Sequence, residues 1–373
     1  INGPLLIIAG AGSGKTRVIT HRIAYMIEQG ISAKSILALT FTNKAATEMR
    51  ERVQALLTDL HGRAAKNMLS DLTVSTFHAF GLSVLRRYGR TLGYRDNFSV
   101  YDTADQISML KEAARELKIN PDDLSLFDVL QGFSGIKTQR INWADERWHQ
   151  MLSPEGGGGV SRFQDLFESY AQHLVVYNSV DFDDLIVQPL SLFREHQKVL
   201  DHYNSRFQYI LVDEFQDTST VQYNILHHLG RPSGNVCVVG DDDQSIYSWR
   251  GADYSNIESF ERDFPGVVEI KLERNYRSTG QILQAANSVI ANNKNRKLKE
   301  LWTHIDTGNP IELSFPDDEE AEARFIAEKI KMLAFQEGIS FDSFGILIRT
   351  NGQSRAIEEA LLAADVPYHM TGG

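Results

Sequence analysis

Short apolar runs alternate with longer stretches of helical spacing in the first part of the chain. Three pairs of a short run and a helical stretch follow one another: LLIIAG at residues 5–10 with 15–28, ILALTF at 36–41 with 45–60, and LTVSTF at 72–77 with 79–90. Glycines separate the members of the first pair. Strands that alternate with helices usually form a parallel sheet that helices cover. The pattern therefore predicts an α/β fold.

The pattern changes over residues 101–204, where strand signals disappear. Stretches such as ADQISMLKEAARELKI and RFQDLFESYAQHLVVY carry apolar residues at helical spacing. This part predicts a helical subdomain inserted into the sheet domain. The run GGGG at residues 156–159 predicts a flexible loop within it.

Strand signals return after the insertion. The first sheet resumes with YILVDE at residues 209–214, NVCVVGD at 235–241 and VVEIKL at 267–272. The chain then predicts helices at 279–293, 317–337 and 353–364, which alternate with strands IELSF at 311–315, FGILI at 344–348 and PYHMT at 367–371. This second α/β pattern stops without completing a sheet.

Four segments follow from these patterns. We predict residues 1–90 and 205–274 as the two parts of one α/β domain, with 91–204 as its helical insertion. Residues 275–373 are predicted as the beginning of a second α/β domain. A chain of 373 residues also agrees with two or three domains.

Composition places the chain among ordinary globular proteins, because 42% of its residues are hydrophobic and 23% are charged. Its one cysteine, Cys237, can form no internal disulfide, and no apolar run approaches the roughly 20 residues that span a bilayer. We expect no membrane association and a cytoplasmic location. Because Ile1 is not an initiator methionine and a strand is predicted almost at once, we expect the chain to be a piece of a longer protein.

The net charge of −11 argues against a surface coated in basic residues for nonspecific nucleic-acid binding. A groove needs only a few inward-facing cations and aromatic rings, however, while the outer surface stays acidic. Any contact with nucleic acid must therefore be local.

The segment AGAGSGKT at residues 9–16 lies between a predicted strand and a predicted helix, as a phosphate-binding P-loop requires. Lys15 is expected to contact the β and γ phosphates of ATP, and the Thr16 hydroxyl to ligate Mg²⁺. The general motif has glycine where this chain has Ala9, and the alternative is a glycine-rich turn with a chance GKT. The other predicted nucleotide-binding residues of the loop are Ala9, Gly10, Ala11, Gly12, Ser13, Gly14 and Arg17.

The segment VDEFQD at residues 212–217 follows another predicted strand, so its first acidic pair lies where open parallel sheets bind ligands. Asp213 is expected to hold Mg²⁺, directly or through water. Glu214 is placed to orient or deprotonate the attacking water. The alternative is a solvated acidic turn.

The segment GDDDQSIYSWRGA at residues 240–252 follows the next strand. Gln244 can reach the γ-phosphate, and the rings of Tyr247 and Trp249 can meet DNA bases, because bases of any sequence stack on aromatic rings. A tryptophan that packs a domain junction is an equally good interpretation of Trp249 taken alone.

Together these segments resemble the superfamily 1A DNA helicases of the UvrD/Rep/PcrA type. The resemblance rests on AGAGSGKT, LTFTNKAATEMRERV, TVSTFHAF, VDEFQDTS, VVGDDDQSIYSWRGA and LERNYRS, in this order, and covers essentially the whole chain. It implies a P-loop NTPase (RecA-like) parallel sheet with a helical insertion, followed by the start of a second RecA-like domain. It also implies an enzyme that uses ATP and Mg²⁺ to move along single-stranded DNA, 3′ to 5′, and to unwind duplex DNA in repair or replication.

The resemblance also implies roles for single residues. Phe41 and Trp249 would lie along the single-strand groove, with His78 near it. Gln244 would report the nucleotide state to the DNA side. In the NYRS segment, Tyr276 would stack on adenine and Arg277 would touch the γ-phosphate. The predicted catalytic residues are thus Lys15, Glu214, Gln244 and Arg277.

Two features of the family do not occur in these 373 residues: the adenine-reading glutamine motif before the P-loop, and the later motifs with a further arginine for the ATP site. We therefore expect this chain to bind ATP but to hydrolyse it poorly. Two alternatives remain open: an ATP-driven translocase subunit of a helicase–nuclease, and a noncatalytic DNA-binding module that ATP switches. Intact Lys15, Asp213 and Glu214 count against the second.

Two further charged segments can be explained by structure alone. The acids of DFDDLI at residues 181–186 are expected to cap and start a helix, although the family has a similar segment. The basic run KNRKLKE at residues 294–300 can meet DNA phosphates or form a solvated face. Cys237, in an apolar strand, is expected in the core.

Overall fold

The computed structural model describes residues 1–62, 65–140, 159–248, 251–294 and 296–371, with side chains from residue 162 in the third range. The chain folds as two compact units, Ile1–Gly308 and Asn309–Gly373. The first unit thus includes the stretch 275–308 that follows the large sheet. The boundary predicted at residue 275 stays a prediction about domains.

A six-stranded parallel sheet forms the centre of the first unit. Its strands lie in the order β3-β2-β6-β7-β1-β8, and every pair of neighbours is parallel. The strands are β1 Leu5–Ala9, β2 Ile36–Thr40, β3 Thr73–Thr76, β6 Tyr209–Val212, β7 Val236–Gly240 and β8 Val268–Leu272. All six match predicted apolar runs, and the α/β prediction is confirmed.

Alternation along the strands explains why the sheet has a core on each face. In β1, Leu6 and Ile8 join one hydrophobic cluster, whereas Ile7 and Ala9 join the other. Successive side chains of a strand point to opposite faces. Because helices cover both faces, the central strands β1, β2, β6 and β7 appear in the sequence as continuous apolar runs. The edge strand β8 is largely exposed.

Helices of the first unit cover the sheet and build the insertion. The helices around the sheet are Lys15–Glu28, Asn43–His61, Ala65–Met68, Phe77–Tyr88, Asp184–Glu195, Gln197–Arg206, Thr220–Gly230 and Ser255–Asp263. The helix Gly280–Ile290 follows the sheet. Two short parallel pairs complete the unit: Ser99–Val100 (β4) with Ser179–Val180 (β5), and Arg274–Asn275 (β9) with Trp302–Thr303 (β10).

The insertion has a hydrophobic core of its own. Its helices are Thr103–Glu116, Leu126–Lys137 and Gly159–Val176. Buried residues such as Leu110, Phe133 and Leu166 form a cluster separate from the two cores of the sheet. Of the predicted GGGG loop, residues 156–158 lie outside the described residues, and Gly159 begins a helix. The helical character predicted for this part is thus confirmed.

In its described residues, the second unit contains two α-helices and differs from the prediction. The helices Glu319–Glu337 and Ser354–Ala363 match, but the strands predicted at 311–315, 344–348 and 367–371 are wrong, since the described residues there form no strand. The alternation at 344–348 reflects packing instead: Phe344 and Ile346 contact a small helical core, while Leu347 is exposed. A strand also needs a neighbouring strand for its hydrogen bonds.

Across the described ranges, no helix combines the length and the apolar character needed to cross a bilayer.

Candidate functional site

The P-loop connects β1 to the helix Lys15–Glu28. Gly12 and Gly14 have φ values of 68° and 93°, a region in which side chains are strained. A Cβ on Gly12 would lie 2.5 Å from the Asn275 Nδ2 atom, so this position also lacks room for a side chain. The Ser13 hydroxyl donates to the Gly10 carbonyl at 2.7 Å and closes the loop. The loop ends at the N-terminus of the helix Lys15–Glu28, where free backbone amides favour the binding of anions.

Lys15 is positioned beside the acidic pair that follows β6. Its Nζ atom lies 2.9 Å from Glu214 Oε2. This Nζ is buried and, among the described residues, makes no hydrogen bond. A buried ammonium with donors to spare fits a phosphate group, which offers several acceptor oxygens.

Thr16 and Asp213 meet on the same side of the loop. The Thr16 hydroxyl donates to Asp213 Oδ2 at 3.2 Å. Burial and the charge of Glu214 raise the pKa of Asp213 to about 6. Hydroxyl and carboxylate oxygens are ligands that Mg²⁺ prefers, so the two residues fit the predicted cation. We call Asp213 and Glu214 the first acidic turn.

Glu214 adopts a backbone conformation that is uncommon outside glycine. Its φ and ψ angles are 50° and 47°, in the left-handed region, where a residue with a side chain is strained and functional sites are common. Gln216 Nε2 donates to Glu214 Oε2 at 2.8 Å. Gln216 Oε1 accepts from the Asp241 amide at 3.0 Å. Gln216 thus joins the ends of β6 and β7, a role that the sequence analysis missed.

Asn275 holds the NYRS segment against the P-loop. Its Nδ2 donates to the Ala11 carbonyl at 2.7 Å, and its Oδ1 accepts from the Arg277 amide at 2.8 Å. The Tyr276 amide donates to the Gly12 carbonyl at 3.0 Å. Tyr276 and Arg277 therefore lie beside the P-loop, as predicted for nucleotide-binding residues. Asn275 was not predicted, although its place within NYRS was the available signal.

The Tyr276 ring is accessible for stacking. It is 58% exposed, and the Arg274 guanidinium lies 4.8 Å from its centroid. A cation near a ring face favours contact through the quadrupole of the ring. The position agrees with a ring that stacks on a base, and the contact with adenine stays a prediction.

Gln244 ends a short 3₁₀ helix that begins at Asp242, just after β7. Its Nε2 donates to Asp241 Oδ2 at 2.6 Å. Asp241, Asp242 and Asp243, which we call the second acidic turn, bring their carboxylates within 4.8 Å of one another. Lys299 lies among all three.

At its central positions the basic run 294–300 is paired with carboxylates, so the solvated-face alternative is wrong there. Contact of the exposed Lys294 with DNA stays a prediction. The Lys299 side chain is 2% exposed. Arg296 contacts Asp243 at 2.7 Å, and Lys297 contacts Glu261 at 2.6 Å. Three carboxylates in a row require counter-charges, and a charge run in the sequence does not reveal where they lie.

The predicted DNA-binding residues are partly described. The rings of Phe41 and Tyr247 stack with centroids 5.2 Å apart and planes at 19°. Trp249 lies outside the described residues, and its contact with DNA stays a prediction. His78 is half-buried, and burial lowers its pKa. Its ring meets the exposed Phe182 edge-on at 6.5 Å.

The DFDDLI segment starts a helix, as expected. Asp181 Oδ1 accepts from the Asp184 amide at 3.0 Å, and the helix begins at Asp184. The same two carboxylates bind the buried Lys137 ammonium at 2.7 and 3.0 Å. These ion pairs join the helix Leu126–Lys137 of the insertion to the helix Asp184–Glu195, which packs on the sheet. The buried Cys237 is part of a sheet core, which is also as expected.

Comparisons with known proteins agree with this geometry. The family model of the UvrD/REP helicase N-terminal domain matches residues 1–265, and that of the UvrD-like helicase C-terminal domain matches residues 270–373. The chain is 46% identical to the ATP-dependent DNA helicase PcrA of Bacillus subtilis and 42% identical to PcrA of Leuconostoc citreum and of Staphylococcus aureus.

These matches cover all of the chain but only part of each relative. The alignments span 100% of the chain and 49%, 48% and 49% of the three relatives. The chain therefore spans about half the length of the curated relatives it matches.

Proposed function

Because the chain belongs to the UvrD/REP helicase family, we propose that it binds ATP and Mg²⁺ and couples ATP hydrolysis to movement along single-stranded DNA. The observation that carries this proposal is the buried Lys15 ammonium, which lies between a P-loop and the Glu214 carboxylate. The relatives that match are named ATP-dependent DNA helicases. Movement in the 3′ to 5′ direction and unwinding of duplex DNA belong to the same proposal.

Lys15 supplies positive charge to the phosphates. A fixed cation stabilises the charge that develops on the transferred phosphoryl group without reorganising during the reaction. In the structure Lys15 is paired with Glu214. We therefore expect nucleotide binding to redirect the ammonium from the carboxylate to the phosphates, which releases Glu214 for its own role.

Thr16 and Asp213 are the residues that would hold Mg²⁺. The cation would supply charge neutralisation at the phosphates. The raised pKa of Asp213 follows from burial and from the neighbouring Glu214, and a bound cation would remove this penalty.

Glu214 is proposed to accept a proton from the attacking water. Its carboxylate is one-third exposed, so water can reach it, and its strained backbone fixes its direction. Gln216 holds the same Oε2 atom. Gln244, Tyr276 and Arg277 are proposed to contact the γ-phosphate or the base, as the family resemblance implies.

Single-stranded DNA is proposed to contact the aromatic residues beyond the ends of the strands. Phe41 and Tyr247 form one stacked pair, and His78 and Phe182 form another ring contact. Base stacking on such rings tolerates any sequence, as a moving motor requires. Trp249 is proposed as a further stacking residue. DNA repair or replication proteins in the cytoplasm are the proposed setting.

An ATPase assay of the intact protein tests the proposal. We expect hydrolysis that depends on Mg²⁺, increases with single-stranded DNA and disappears in Glu214→Gln. Unwinding of a duplex with a 3′ single-stranded tail, but not of one with a 5′ tail, would support the direction.

Two outcomes would favour other functions. Hydrolysis and translocation without unwinding, together with a bound nuclease, would indicate a helicase–nuclease subunit. ATP-dependent DNA binding without any turnover would indicate a switch module and would contradict the proposed motor.

A further inference from the structure

Lys299 is the shared counter-ion of the second acidic turn. Its Nζ lies 2.9 Å from Asp241 Oδ1, 2.5 Å from Asp242 Oδ1 and 2.7 Å from Asp243 Oδ2. An ammonium has three donors, so these contacts use its full capacity. Burial alone would lower the pKa of Lys299, but hydrogen bonds to Asp242 and Asp243 and the charge of Asp241 raise it.

The second acidic turn is therefore not a free cation site. Its carboxylate atoms are close enough to hold a metal, but the Lys299 ammonium lies where they converge. Arg296 adds a second contact to Asp243 at 2.7 Å. Cations of the chain itself thus match two of the three carboxylate charges.

A continuous path of polar contacts leads from Lys299 to the P-loop. Asp241 binds Lys299 through Oδ1, and its amide donates to Gln216 Oε1 at 3.0 Å. Gln216 Nε2 donates to Glu214 Oε2 at 2.8 Å. The same Glu214 oxygen lies 2.9 Å from Lys15 Nζ. Asp241 thus connects Lys299 with the proposed catalytic carboxylate.

Asp241 also positions the proposed nucleotide sensor. Its Oδ2 accepts from Gln244 Nε2 at 2.6 Å, while its Oδ1 is held by Lys299. One carboxylate therefore sets the side chain of Gln244 and is itself held by a buried ammonium. The same Oδ1 also accepts from the Asp243 amide at 3.2 Å. Loss of the ammonium would remove the charged one of these two contacts and loosen the hold on Gln244.

Residues 296–301, the Lys299 segment, also touch the P-loop directly. Leu301 packs so closely on Gly10 that a Cβ there would overlap it. The Lys297 amide donates to Asp242 Oδ2 at 2.5 Å. One short segment therefore contacts both the phosphate loop and the second acidic turn.

We propose that Lys299 is a positioning residue for ATP hydrolysis, which holds Asp241 so that Gln244 and, through Gln216, Glu214 keep their reactive geometry. The proposal rests on the proposed ATPase function. Lys299 is not proposed to contact the ATP phosphates or the attacking water. Its effect is on the rate of the chemical step and on its response to DNA, rather than on nucleotide affinity.

The test compares charge-balanced and conservative variants in the intact protein. Lys299→Gln combined with Asp242→Asn removes one cation and one anion, so the remaining acids keep Arg296 and Gln244 as partners. Lys299→Arg keeps the charge. Lys297→Met is the matched control, because its ammonium binds Glu261 and Glu269 and lies outside the path to Asp241.

Three readouts are needed: thermal unfolding, the Kd of a fluorescent ATP analogue with Mg²⁺, and kcat and KM for ATP with and without single-stranded DNA. For the folded double variant we expect a drop in kcat of about tenfold or more, since small displacements of reacting groups have effects of this size. The Kd should stay within about twofold, because the Lys15 and Thr16 contacts are intact. Lys299→Arg should recover part of kcat, and Lys297→Met should equal wild type.

A folded double variant with the kcat and DNA stimulation of wild type would overturn the proposal. So would equal losses in Lys299→Gln/Asp242→Asn and Lys297→Met, which would show a general effect of lost ion pairs. If the double variant does not fold, Lys299→Arg decides: a lowered kcat at unchanged Kd supports the proposal, and wild-type values overturn it. Absence of DNA-stimulated hydrolysis in wild type would instead refute the proposed function and this inference with it.

Discussion

Two acidic turns follow adjacent strands of the same sheet, yet their surroundings differ. The first, after β6, has two carboxylates and one nearby ammonium, that of Lys15. The second, after β7, has three carboxylates that are bound by Lys299 and Arg296. Both lie where open parallel sheets bind ligands. The counter-charges that the chain supplies, rather than the number of acids, indicate which turn can accept a cation.

The electrostatics of the first turn support this distinction. The pKa of Asp213 is raised to about 6 by burial and by Glu214, so the carboxylate lacks a full counter-charge. Asp217 nearby has a pKa raised to about 6 for the same two reasons. An unbalanced, buried carboxylate is a common feature of functional sites. In the second turn the buried Lys299 ammonium occupies the point where the three carboxylates converge, so this turn is better suited to hold structure.

The largest effect is expected from removing Lys15, the cation of the first turn. Lys15→Ala should lower kcat for ATP by about 10³-fold or more in the intact protein, because it removes a fixed charge from the developing phosphoryl charge. Steady-state hydrolysis measures this. The matched control is Lys34→Ala, an exposed lysine of the same domain that should hydrolyse ATP like wild type. Near-normal turnover in Lys15→Ala would exclude its phosphate role.

The second effect separates binding from chemistry within the first turn. Glu214→Gln should keep the affinity for a fluorescent ATP analogue, since the P-loop contacts remain, and should lose about 10²–10³-fold in kcat, because an amide cannot accept the proton. Binding titrations and single-turnover hydrolysis measure the two parts. Robust hydrolysis by this variant would remove Glu214 from its assignment as the base.

The third effect concerns pH. Burial and the charge of Glu214 raise the pKa of Asp213 in the folded state to about 6, from the usual aspartate value of about 4. Folding therefore favours the protonated form, and its contribution to stability declines as pH rises from about 4 to about 6. Without nucleotide or Mg²⁺, Asp213→Asn should remove up to about 3 kcal/mol of this decline. Urea unfolding at pH 4.5 and pH 7 measures it. If the free energy of unfolding changed with pH in the same way in the variant, burial would not raise the pKa of Asp213.

The same titration affects activity with the opposite sign. Because a protonated carboxyl is a poor ligand, Mg²⁺ must compete with the proton, and the Mg²⁺ concentration needed for half-maximal turnover should rise as the pH falls through about 6. Mg²⁺ titrations of ATP hydrolysis on either side of this pH measure the shift.

The smallest effect concerns the aromatic residues that are proposed to contact DNA. Trp249→Ala and Phe41→Ala should each weaken single-strand binding by about 1–3 kcal/mol, the value of one base stack. ATP affinity without DNA should barely change. Fluorescence anisotropy with a labelled oligonucleotide measures the loss. Wild-type DNA affinity in a folded Trp249→Ala protein would show that the tryptophan is structural.

The sequence was informative where local pattern decides the structure. All six strands of the large sheet were predicted. The four central strands are continuous apolar runs because they are buried on both faces, whereas the edge strands β3 and β8 alternate in burial or are exposed. The strands predicted at 311–315, 344–348 and 367–371 were wrong, because an alternating pattern reports packing on one face and not the presence of a neighbouring strand.

The site shows the same division. Lys15, Thr16, Asp213 and Glu214 could be predicted because motif spacing and the strand ends fix their places. Gln216 and Lys299 could not, since their importance depends on partners elsewhere in the chain: Lys299 acts on residues 56 to 58 positions earlier. Asn275 had a signal in its place within NYRS, but its contact with a loop 264 positions earlier appears only in the structure. Only the folded structure shows that Arg296 and Lys299 of the basic run bind the carboxylates of the second turn.

The most direct test of this account is a Mg²⁺ titration of ATP-analogue binding in two matched variants, Asp213→Asn and Asp242→Asn. Each removes one carboxylate charge from one acidic turn. We predict that Asp213→Asn raises the Mg²⁺ concentration needed for half-maximal binding by about tenfold or more, since one charged ligand is lost, whereas Asp242→Asn leaves it unchanged. A shift in Asp242→Asn without one in Asp213→Asn would contradict the assignment of the two turns.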